Sequence, residues 1–274
     1  MLFCVIITND YVFGDFEMKK RIVIKVGTSS LTYDTGKTNI ARMAKLVSVI
    51  SDLKNMGCDI VLVSSGAVGI GLSKLGIADK PAQIPPLQAA AAIGQCELMF
   101  LYDKFFSEYG YNVAQMLLTT EDVQNAESRG HIIDVFNQLL EYGTVPVVNE
   151  NDSVSVDELK KGDNDCLSAI VATLIKADML IMLTDKDGMY DKDPTENDDA
   201  NLISYVEEIN SEIYSIAGGA SSKGTGGFAT KVKAAEIATS NGITTYVING
   251  DKPTAIYKIL NGEQIGTRFA ARGE

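Results

Sequence analysis

Histidine is nearly absent from this 274-residue sequence, which has only His131, and tryptophan is missing altogether. A single imidazole nearly excludes an ordinary zinc site, and it excludes any mechanism that needs two histidines. The four cysteines form no C-x-x-C pair, which argues against a disulfide framework and favours a reducing, cytoplasmic compartment. No apolar run reaches the roughly 18 residues that a membrane span needs, so we expect no membrane association.

Basic residues are the minority charge, because 24 Lys and Arg stand against 36 Asp and Glu, a formal net charge of −12. A negative surface is a poor match to a phosphate backbone, so we expect no nucleic-acid partner. Hydrophobic residues at 46% and charged residues at 22% are typical of a globular protein that builds its core without disulfides or metals.

The N-terminus raises the question of where the folded domain begins. The segment MKKRIVIKVG, starting at Met18, is typical of a natural first strand. We therefore interpret residues 1–17 as an N-terminal extension of doubtful origin and expect a single domain over 18–274. The alternative is that residues 1–17 add an edge strand. No positive residue precedes the apolar LFCVII and no cleavage site follows it, which argues against a signal peptide.

Strand-like apolar runs alternate along the chain with segments of helical periodicity. The predicted strands are 22–26, 59–63, 111–118, 144–149, 178–184 and 243–249, and the predicted helices are 39–56, 86–108, 127–142, 163–176 and 228–241. Strands that are apolar on both faces need cover on both sides, so the pattern predicts an α/β fold with a parallel sheet between helices. In such sheets, ligands bind beyond the carboxyl ends of the strands.

Two glycine-rich segments lie between a predicted strand and a helix, or lead into a helix. One is Ser64 to Gly71, and the other is Gly224 to Gly227. Glycine and hydroxyl residues at such places leave backbone N–H groups free to attract anions, which predicts two anion sites or one extended site. Neither segment is a Walker A motif, and G-x-G-x-x-G is absent after the first strand. Taken singly, each segment also fits an ordinary tight turn.

Lys25 lies within an apolar strand, where a lysine needs a partner. The alternative is an edge strand from which its stem extends to solvent. Lys231 closely follows the second glycine-rich segment, although by itself it also fits a solvated helix face. Carboxylates at strand ends and helix starts can cap a helix, orient lysines or hold Mg²⁺. These carboxylates are Asp152, Asp163, Asp165 and Asp185.

Lysines, glycine segments and acids without a histidine base fit phosphoryl transfer, because its transition state spreads negative charge that placed cations stabilise. A carboxylate acceptor is already ionised at neutral pH, since a glutamate side chain has a pKa of about 4.3. Such an acceptor needs no general base.

Six ordered segments, spread from about Lys19 to Phe269, resemble the amino acid kinase family. They are KVGTSSLT (25–32), VSSGAVGIG (63–71), VVNENDSVS (147–155), GDNDCLSA (162–169), LTDKDGMYDKDP (183–194) and GTGGFATKVKAAEIA (224–238). The set is most similar to the members that phosphorylate free L-glutamate. The resemblance implies a three-layer αβα sandwich and ATP-dependent formation of L-glutamyl 5-phosphate, the first step of proline synthesis.

The resemblance also implies roles for individual residues. Lys25 and Lys231 would stabilise the phosphoryl group, and Asp165 would hold the two lysines. The implied substrate-binding residues are Ser65, Gly66, Ala67, Asp152 and Asn164. The implied ATP-binding residues are Lys25, Gly27, Thr184, Asp185, Thr225, Gly226, Gly227 and Lys231. Mg²⁺ would be held mainly by the nucleotide phosphates, with no metal ligands of the protein's own.

Partners and regulation follow from the same resemblance. It implies a homo-oligomer (a dimer or tetramer), feedback inhibition by free proline at or near the glutamate site, and functional coupling to glutamate-5-semialdehyde dehydrogenase. Many members carry a C-terminal PUA domain of the RNA-modifying type, whereas this chain stops soon after Gly266 to Phe269. We therefore expect no RNA binding.

The nearest alternatives are other members of the family, namely acetylglutamate kinase, aspartokinase, UMP kinase and carbamate kinase. Several of these carry Gly-Gly after the first-strand lysine, where this chain has Gly27-Thr28. The pairing of NENDSVS with GDND also favours a free amino acid as the substrate. A non-catalytic amino-acid sensor is a further alternative. It would be expected to lack Lys25, Lys231 or Asp165, and all three are present.

Overall fold

The computed structural model describes residues 19–33, 36–155, 164–219 and 228–273. The extension proposed for residues 1–17 therefore lies outside the described residues, as do Asp163, Thr225, Gly226 and Gly227. No helix within the described ranges is long and apolar enough to cross a bilayer.

Ten strands form two sheets in the described part of the chain. They are β1 (Arg21–Val26), β2 (Asp59–Ser64), β3 (Val113–Leu118), β4 (Val145–Glu150), β5 (Met179–Thr184), β6 (Met189–Tyr190), β7 (Leu202–Ile203), β8 (Tyr205–Val206), β9 (Thr244–Asn249) and β10 (Thr267–Phe269). The main sheet has the order β3-β4-β2-β1-β5-β9-β10-β8, and β6 pairs with β7 in a small second sheet. All main-sheet pairings are parallel except that of β10 with β9. The predicted mainly parallel sheet is confirmed.

Helices cover both faces of the main sheet. They are α1 (Thr28–Leu31), α2 (Ile40–Asn55), α3 (Ala67–Lys74), α4 (Ile84–Ser107), α5 (Thr120–Gln124), α6 (Ala126–Glu141), α7 (Asn164–Leu174), α8 (Ser211–Gly219), α9 (Phe228–Ser240) and α10 (Ala255–Leu260). Side chains of β1 alternate between two cores: Ile22 and Ile24 pack with α2, α4 and α10, whereas Val23 packs with α6, α7 and α9. The molecule is thus a three-layer αβα sandwich.

Strand β1 lies at the centre of the sheet, with β2 on one side and β5 on the other. Lys25 pairs in register with Val63 of β2 and Met182 of β5. The edge-strand alternative for Lys25 is therefore wrong. Because β1, β2, β4 and β5 are parallel, the segments after their carboxyl ends meet at one edge of the sheet.

The second half of the first glycine-rich segment is helical, which the sequence interpretation did not predict. Helix α3 begins at Ala67, after Gly66 with a φ of +106° that glycine adopts without strain. A Cβ at Gly71 would lie 1.8 Å from the backbone oxygen of Ala90, and one at Gly94 would lie 1.8 Å from that of Ala67. These two glycines let α3 and α4 pack backbone against backbone.

Candidate active site

The three residues predicted to be catalytic meet in one buried cluster, which we call the Lys–Asp–Lys cluster (Lys25, Asp165 and Lys231). Lys25 Nζ lies 2.6 Å from Asp165 Oδ1, and Lys231 Nζ lies 3.0 Å from Asp165 Oδ2. Thr230 Oγ1 also donates a hydrogen bond to Asp165 Oδ2, at 2.8 Å. Strand β1, the start of α7 and the first turns of α9 each supply one of the three charged side chains.

Electrostatics keep Asp165 ionised inside the protein. Burial by itself raises the pKa of a carboxyl group, but the Lys25 and Lys231 ammonium groups outweigh burial and hold the pKa of Asp165 well below its usual range. Two ammonium groups then share one carboxylate, which leaves a net positive charge at a water-poor place. Such a site is suited to neutralise a further anion.

Two cavities meet at the Lys–Asp–Lys cluster. One has a volume of about 310 Å³ and is lined by Ser65, Gly66, Ala67 and Asp152; we call it the substrate cavity. The other has a volume of about 290 Å³ and is lined by Thr184 and Asp185; we call it the nucleotide cavity. Four residues line both cavities, and these are Lys25, Gly27, Ser29 and Lys231. The shared wall places the two lysines between the cavities.

Asp152 gives the substrate cavity an unusual carboxyl group. Its Oδ1 atom is buried and has no hydrogen-bond partner among the described residues. Burial, together with the nearby charge of Glu150, raises the pKa of Asp152 to about 7, and Lys80 opposes this rise. Lys80 also lines this cavity, and the sequence analysis missed it. A buried acceptor without a partner is suited to receive a donor from a ligand.

Asn164 lies behind the wall of the substrate cavity and not on its surface, since its side chain is fully buried. Its Nδ2 atom donates to Ser65 Oγ at 2.9 Å and to Asn149 Oδ1 at 2.7 Å. Asn164 is therefore the one predicted substrate-binding residue that does not line the cavity; it contacts Ser65, which does. The sequence analysis included its partner Asn149 in the motif VVNENDSVS but gave it no role of its own.

The nucleotide cavity combines apolar and basic walls. Its polar part includes Thr184, whose Oγ1 donates to Asp185 Oδ1 at 3.0 Å. Its other lining residues include Lys186, Lys192, Met189, Ile216, Ala217 and Phe228. Apolar side chains are suited to a flat base, and lysines are suited to phosphates. The predicted Thr225, Gly226 and Gly227 immediately precede Phe228 but lie outside the described residues.

Gly27 lines both cavities beside Lys25. A Cβ at this position would lie 3.5 Å from Lys25 Nζ, which is an ordinary van der Waals contact. Within the described ranges, no group of three or more His, Cys, Asp and Glu side chains is placed to hold a metal ion. Lys25 and Lys231 supply positive charge at the junction of the cavities.

Known proteins are similar to this chain in sequence and in fold. The profile of the amino acid kinase family matches residues 20–249. Glutamate 5-kinase of Clostridium perfringens is 53% identical over 258 residues, covering 92% of this chain and 96% of that protein. Glutamate 5-kinase of Clostridium acetobutylicum is 51% identical over 255 residues, covering 93% and 96%. Among solved structures, carbamate kinase from Giardia lamblia bound to AMP-PNP has a TM-score of 0.66 at 18% identity, covering 92% of this chain and 98% of that one. The chain therefore belongs to the amino acid kinase family and, within it, to the glutamate 5-kinases.

Proposed function

We propose that this chain transfers the γ-phosphate of ATP to the side-chain carboxylate of L-glutamate, giving L-glutamyl 5-phosphate in the first step of proline biosynthesis. One observation carries the proposal: two cavities meet at a buried carboxylate flanked by two lysines. The names of relatives about half identical to this chain support the same activity.

The transfer requires little proton chemistry. A carboxylate oxygen of glutamate forms a bond to the γ-phosphorus, the bond from that phosphorus to the bridging oxygen breaks, and ADP leaves with the electron pair. Since the attacking carboxylate is already ionised, no base has to remove a proton. The obstacle is the approach of two anions, and we assign Lys25 and Lys231 to neutralise the phosphoryl group as it moves between them.

Glutamate would occupy the substrate cavity. We assign its α-ammonium group to Asp152, whose Oδ1 atom has no hydrogen-bond partner among the described residues. Ser65, with Asn164 behind it, and the Gly66-Ala67 backbone would bind the carboxylate groups. N–H groups at the start of a helix favour an anion, and α3 starts at this wall.

ATP would occupy the nucleotide cavity, held by Gly27, Thr184, Asp185, the segment 225–227 and the two lysines. Mg²⁺, when bound with ATP, would neutralise part of the charge of the phosphates. Since the described residues offer no cluster of metal ligands, we assign the ion mainly to the nucleotide phosphates.

We further propose a single domain over 18–274, a homodimer or homotetramer, feedback inhibition by proline at or near the glutamate site, and functional coupling to glutamate-5-semialdehyde dehydrogenase. A reducing, cytoplasmic compartment is part of the proposal, and it is supported by the described cysteines Cys58 and Cys96, which form no disulfide.

A substrate panel tests the proposal. ADP release would be measured with L-glutamate, N-acetyl-L-glutamate, L-aspartate, UMP and carbamate, each with and without Mg²⁺. We expect turnover that depends on L-glutamate and Mg²⁺. Equal turnover with another acceptor would overturn the substrate assignment, and binding of glutamate with no ADP release would favour an amino-acid sensor.

A further inference from the structure

A chain of buried side-chain amides extends from α4 to the wall of the substrate cavity. Asn149 Nδ2 donates to Gln95 Oε1 at 2.9 Å, and Asn164 Nδ2 donates to Asn149 Oδ1 at 2.7 Å and to Ser65 Oγ at 2.9 Å. Gln95, Asn149 and Asn164 are respectively 8%, 2% and 0% exposed. We call this chain the amide relay (Gln95, Asn149, Asn164 and Ser65).

The relay has a fixed direction. The backbone N–H of Glu150 donates to Asn149 Oδ1 at 2.9 Å, and a backbone N–H can only donate. Asn149 therefore presents its oxygen to Asn164 and its NH₂ group to Gln95. A reversed Asn149 amide would set donor against donor at Glu150 and acceptor against acceptor at Gln95. Gln95 thus supplies the acceptor that the second end of the Asn149 amide requires.

The direction of the relay decides what Ser65 offers to a ligand. Because Ser65 Oγ accepts a hydrogen bond from Asn164, the Ser65 O–H is available to donate elsewhere, and Ser65 lines the substrate cavity. If the amide of Asn164 were reversed, the Ser65 hydroxyl would donate its hydrogen bond to Asn164 Oδ1 and would present only lone pairs to the ligand. Those lone pairs would repel a carboxylate.

Helix packing holds Gln95 in place. Its neighbour Gly94 lies against the backbone of Ala67, at the start of α3, where an added Cβ would approach the Ala67 oxygen to 1.8 Å. Helix α4 therefore positions Gln95 and α3 together. Since Ala67 also lines the substrate cavity, the relay and that wall are built on the same closely packed pair of helices.

We propose that Gln95 is a positioning residue for the amino-acid substrate. It accepts from Asn149 Nδ2 and so supports the amide direction that the Glu150 N–H sets, and that direction leaves Ser65 as a hydrogen-bond donor toward a substrate carboxylate. Gln95 does not line the substrate cavity, so it acts on the ligand through the other three residues, while its own Nε2 donates to Gln115 Oε1 at 3.5 Å. The inference rests on the proposed function, since it takes the ligand of this cavity to be an amino acid with a carboxylate to be bound.

Gln95→Met tests the inference, since it keeps an unbranched side chain of similar length and removes the amide acceptor. We expect the KM for L-glutamate to rise roughly three- to tenfold, with kcat and the KM for ATP within about twofold of wild type. Gln95→Glu retains an acceptor and should keep the glutamate KM within about twofold. Gln88→Met, the same change on the same helix, is the control and should leave the kinetics unchanged. If Gln95→Met does not accumulate as folded protein, Gln95→Leu takes its place.

A double-mutant cycle separates positioning from simple loss of structure. In a Ser65→Ala background, Gln95→Met should raise the glutamate KM no further, because its effect passes through the missing hydroxyl. The inference is overturned if Gln95→Met leaves the glutamate KM unchanged, raises the ATP KM equally, or has its full effect in the Ser65→Ala background. Wild-type protein without glutamate-dependent ADP release would instead overturn the proposed function.

Discussion

At the scale of single residues, a substitution of Lys231 should separate stabilisation of the transition state from binding of glutamate. Its ammonium group contacts Asp165 between the two cavities, whereas Lys233, two positions along α9, is exposed. We predict that Lys231→Met lowers kcat roughly 100- to 1,000-fold and changes the glutamate KM by less than about threefold, because the lost contact is made mainly in the transition state. Steady-state kinetics measure both constants.

Lys233→Met is the matched control for this prediction, since it removes the same charge from the same helix. It should retain kcat within about twofold of wild type. A Lys231→Met variant with unchanged turnover would remove Lys231 from the proposed transfer.

If Asp152 binds the ammonium group of glutamate, as proposed, glutamate binding should depend on pH. The pKa of Asp152 is raised to about 7, first by burial and then by Glu150, against the opposing charge of Lys80. An α-ammonium group binds the ionised form, so kcat/KM for glutamate should increase as pH rises from 6 to 8, while Asp152 loses its proton. Measured kcat/KM values across this range give the profile. The other charged residues that line the cavity are Lys25, Lys80, Asp165 and Lys231.

Removal of the Asp152 charge checks the assignment. Asp152→Asn should raise the glutamate KM roughly 10- to 100-fold and flatten the pH profile between 6 and 8. The ATP KM should stay near its wild-type value, since Asp152 lies outside the nucleotide cavity. A variant with a normal glutamate KM and an unchanged profile would refute the role of Asp152.

The sequence analysis identified residues whose type is unusual for their predicted environment. It missed buried residues whose type is not unusual. Lys25 stood out because a lysine is unusual inside an apolar strand. Gln95 carries no such signal, and Asn149 lies in a quoted motif but was given no role; their hydrogen bond joins residues 54 positions apart. The direction of a buried amide is set by tertiary neighbours, so the amide relay could be found only in the folded structure.

At the scale of elements, the contact between α3 and α4 depends on Gly71 and Gly94, and the sequence analysis assigned neither glycine to helix packing. Gly71 belongs to the segment interpreted as an anion site, yet its lack of a side chain serves contact with the backbone of Ala90. Gly66 alone in that segment has the positive φ of a turn. In this glycine-rich segment, Gly66 therefore lines the substrate cavity, whereas Gly71 allows the helices to pack closely.

Gly94→Ala tests this packing. Its Cβ would approach the Ala67 oxygen to 1.8 Å, so the helices must separate, and we predict a loss of roughly 1–3 kcal/mol in the free energy of unfolding. Denaturant unfolding measures the loss. The control is Gly130→Ala on α6, where no atom lies within 4 Å of the added Cβ, and it should stabilise by about 0.4–1 kcal/mol. Equal stability of the two variants would contradict the packing account.

The long parallel strands were predictable, whereas the short ones were not. Short, mainly apolar runs rich in β-branched residues indicated β1, β2, β4, β5 and β9, because buried parallel strands are apolar on both faces; β3 was predicted as well. Strands β6, β7 and β8 have two residues each, and antiparallel β10 has three, too few to show any periodicity. These residues form strands because they pair with segments elsewhere in the chain, and their own sequence pattern does not indicate a strand.

At the scale of the whole molecule, the topology of the sheet assembles the site. Lys25, Asp165 and Lys231 are spread over most of the chain, with 66 positions between the last two alone. Parallel strands that begin at one edge and end at the other bring the following segments together, which is why strand order predicts a shared site. The 2.6 and 3.0 Å contacts that make the three residues one cluster depend on the packing of α7 and α9.

The central claim is that a carboxylate oxygen of glutamate itself bonds to the transferred phosphorus at the Lys–Asp–Lys cluster. L-Glutamate labelled with ¹⁸O in its side-chain carboxylate would be incubated with ATP, Mg²⁺ and hydroxylamine, which attacks the acyl carbon and releases inorganic phosphate. Mass spectrometry of that phosphate is the direct measurement. If a glutamate oxygen attacks the γ-phosphorus, each phosphate should carry one ¹⁸O atom, and glutamyl hydroxamate should form. Unlabelled phosphate would instead show that water attacks ATP, which would rule out this transfer.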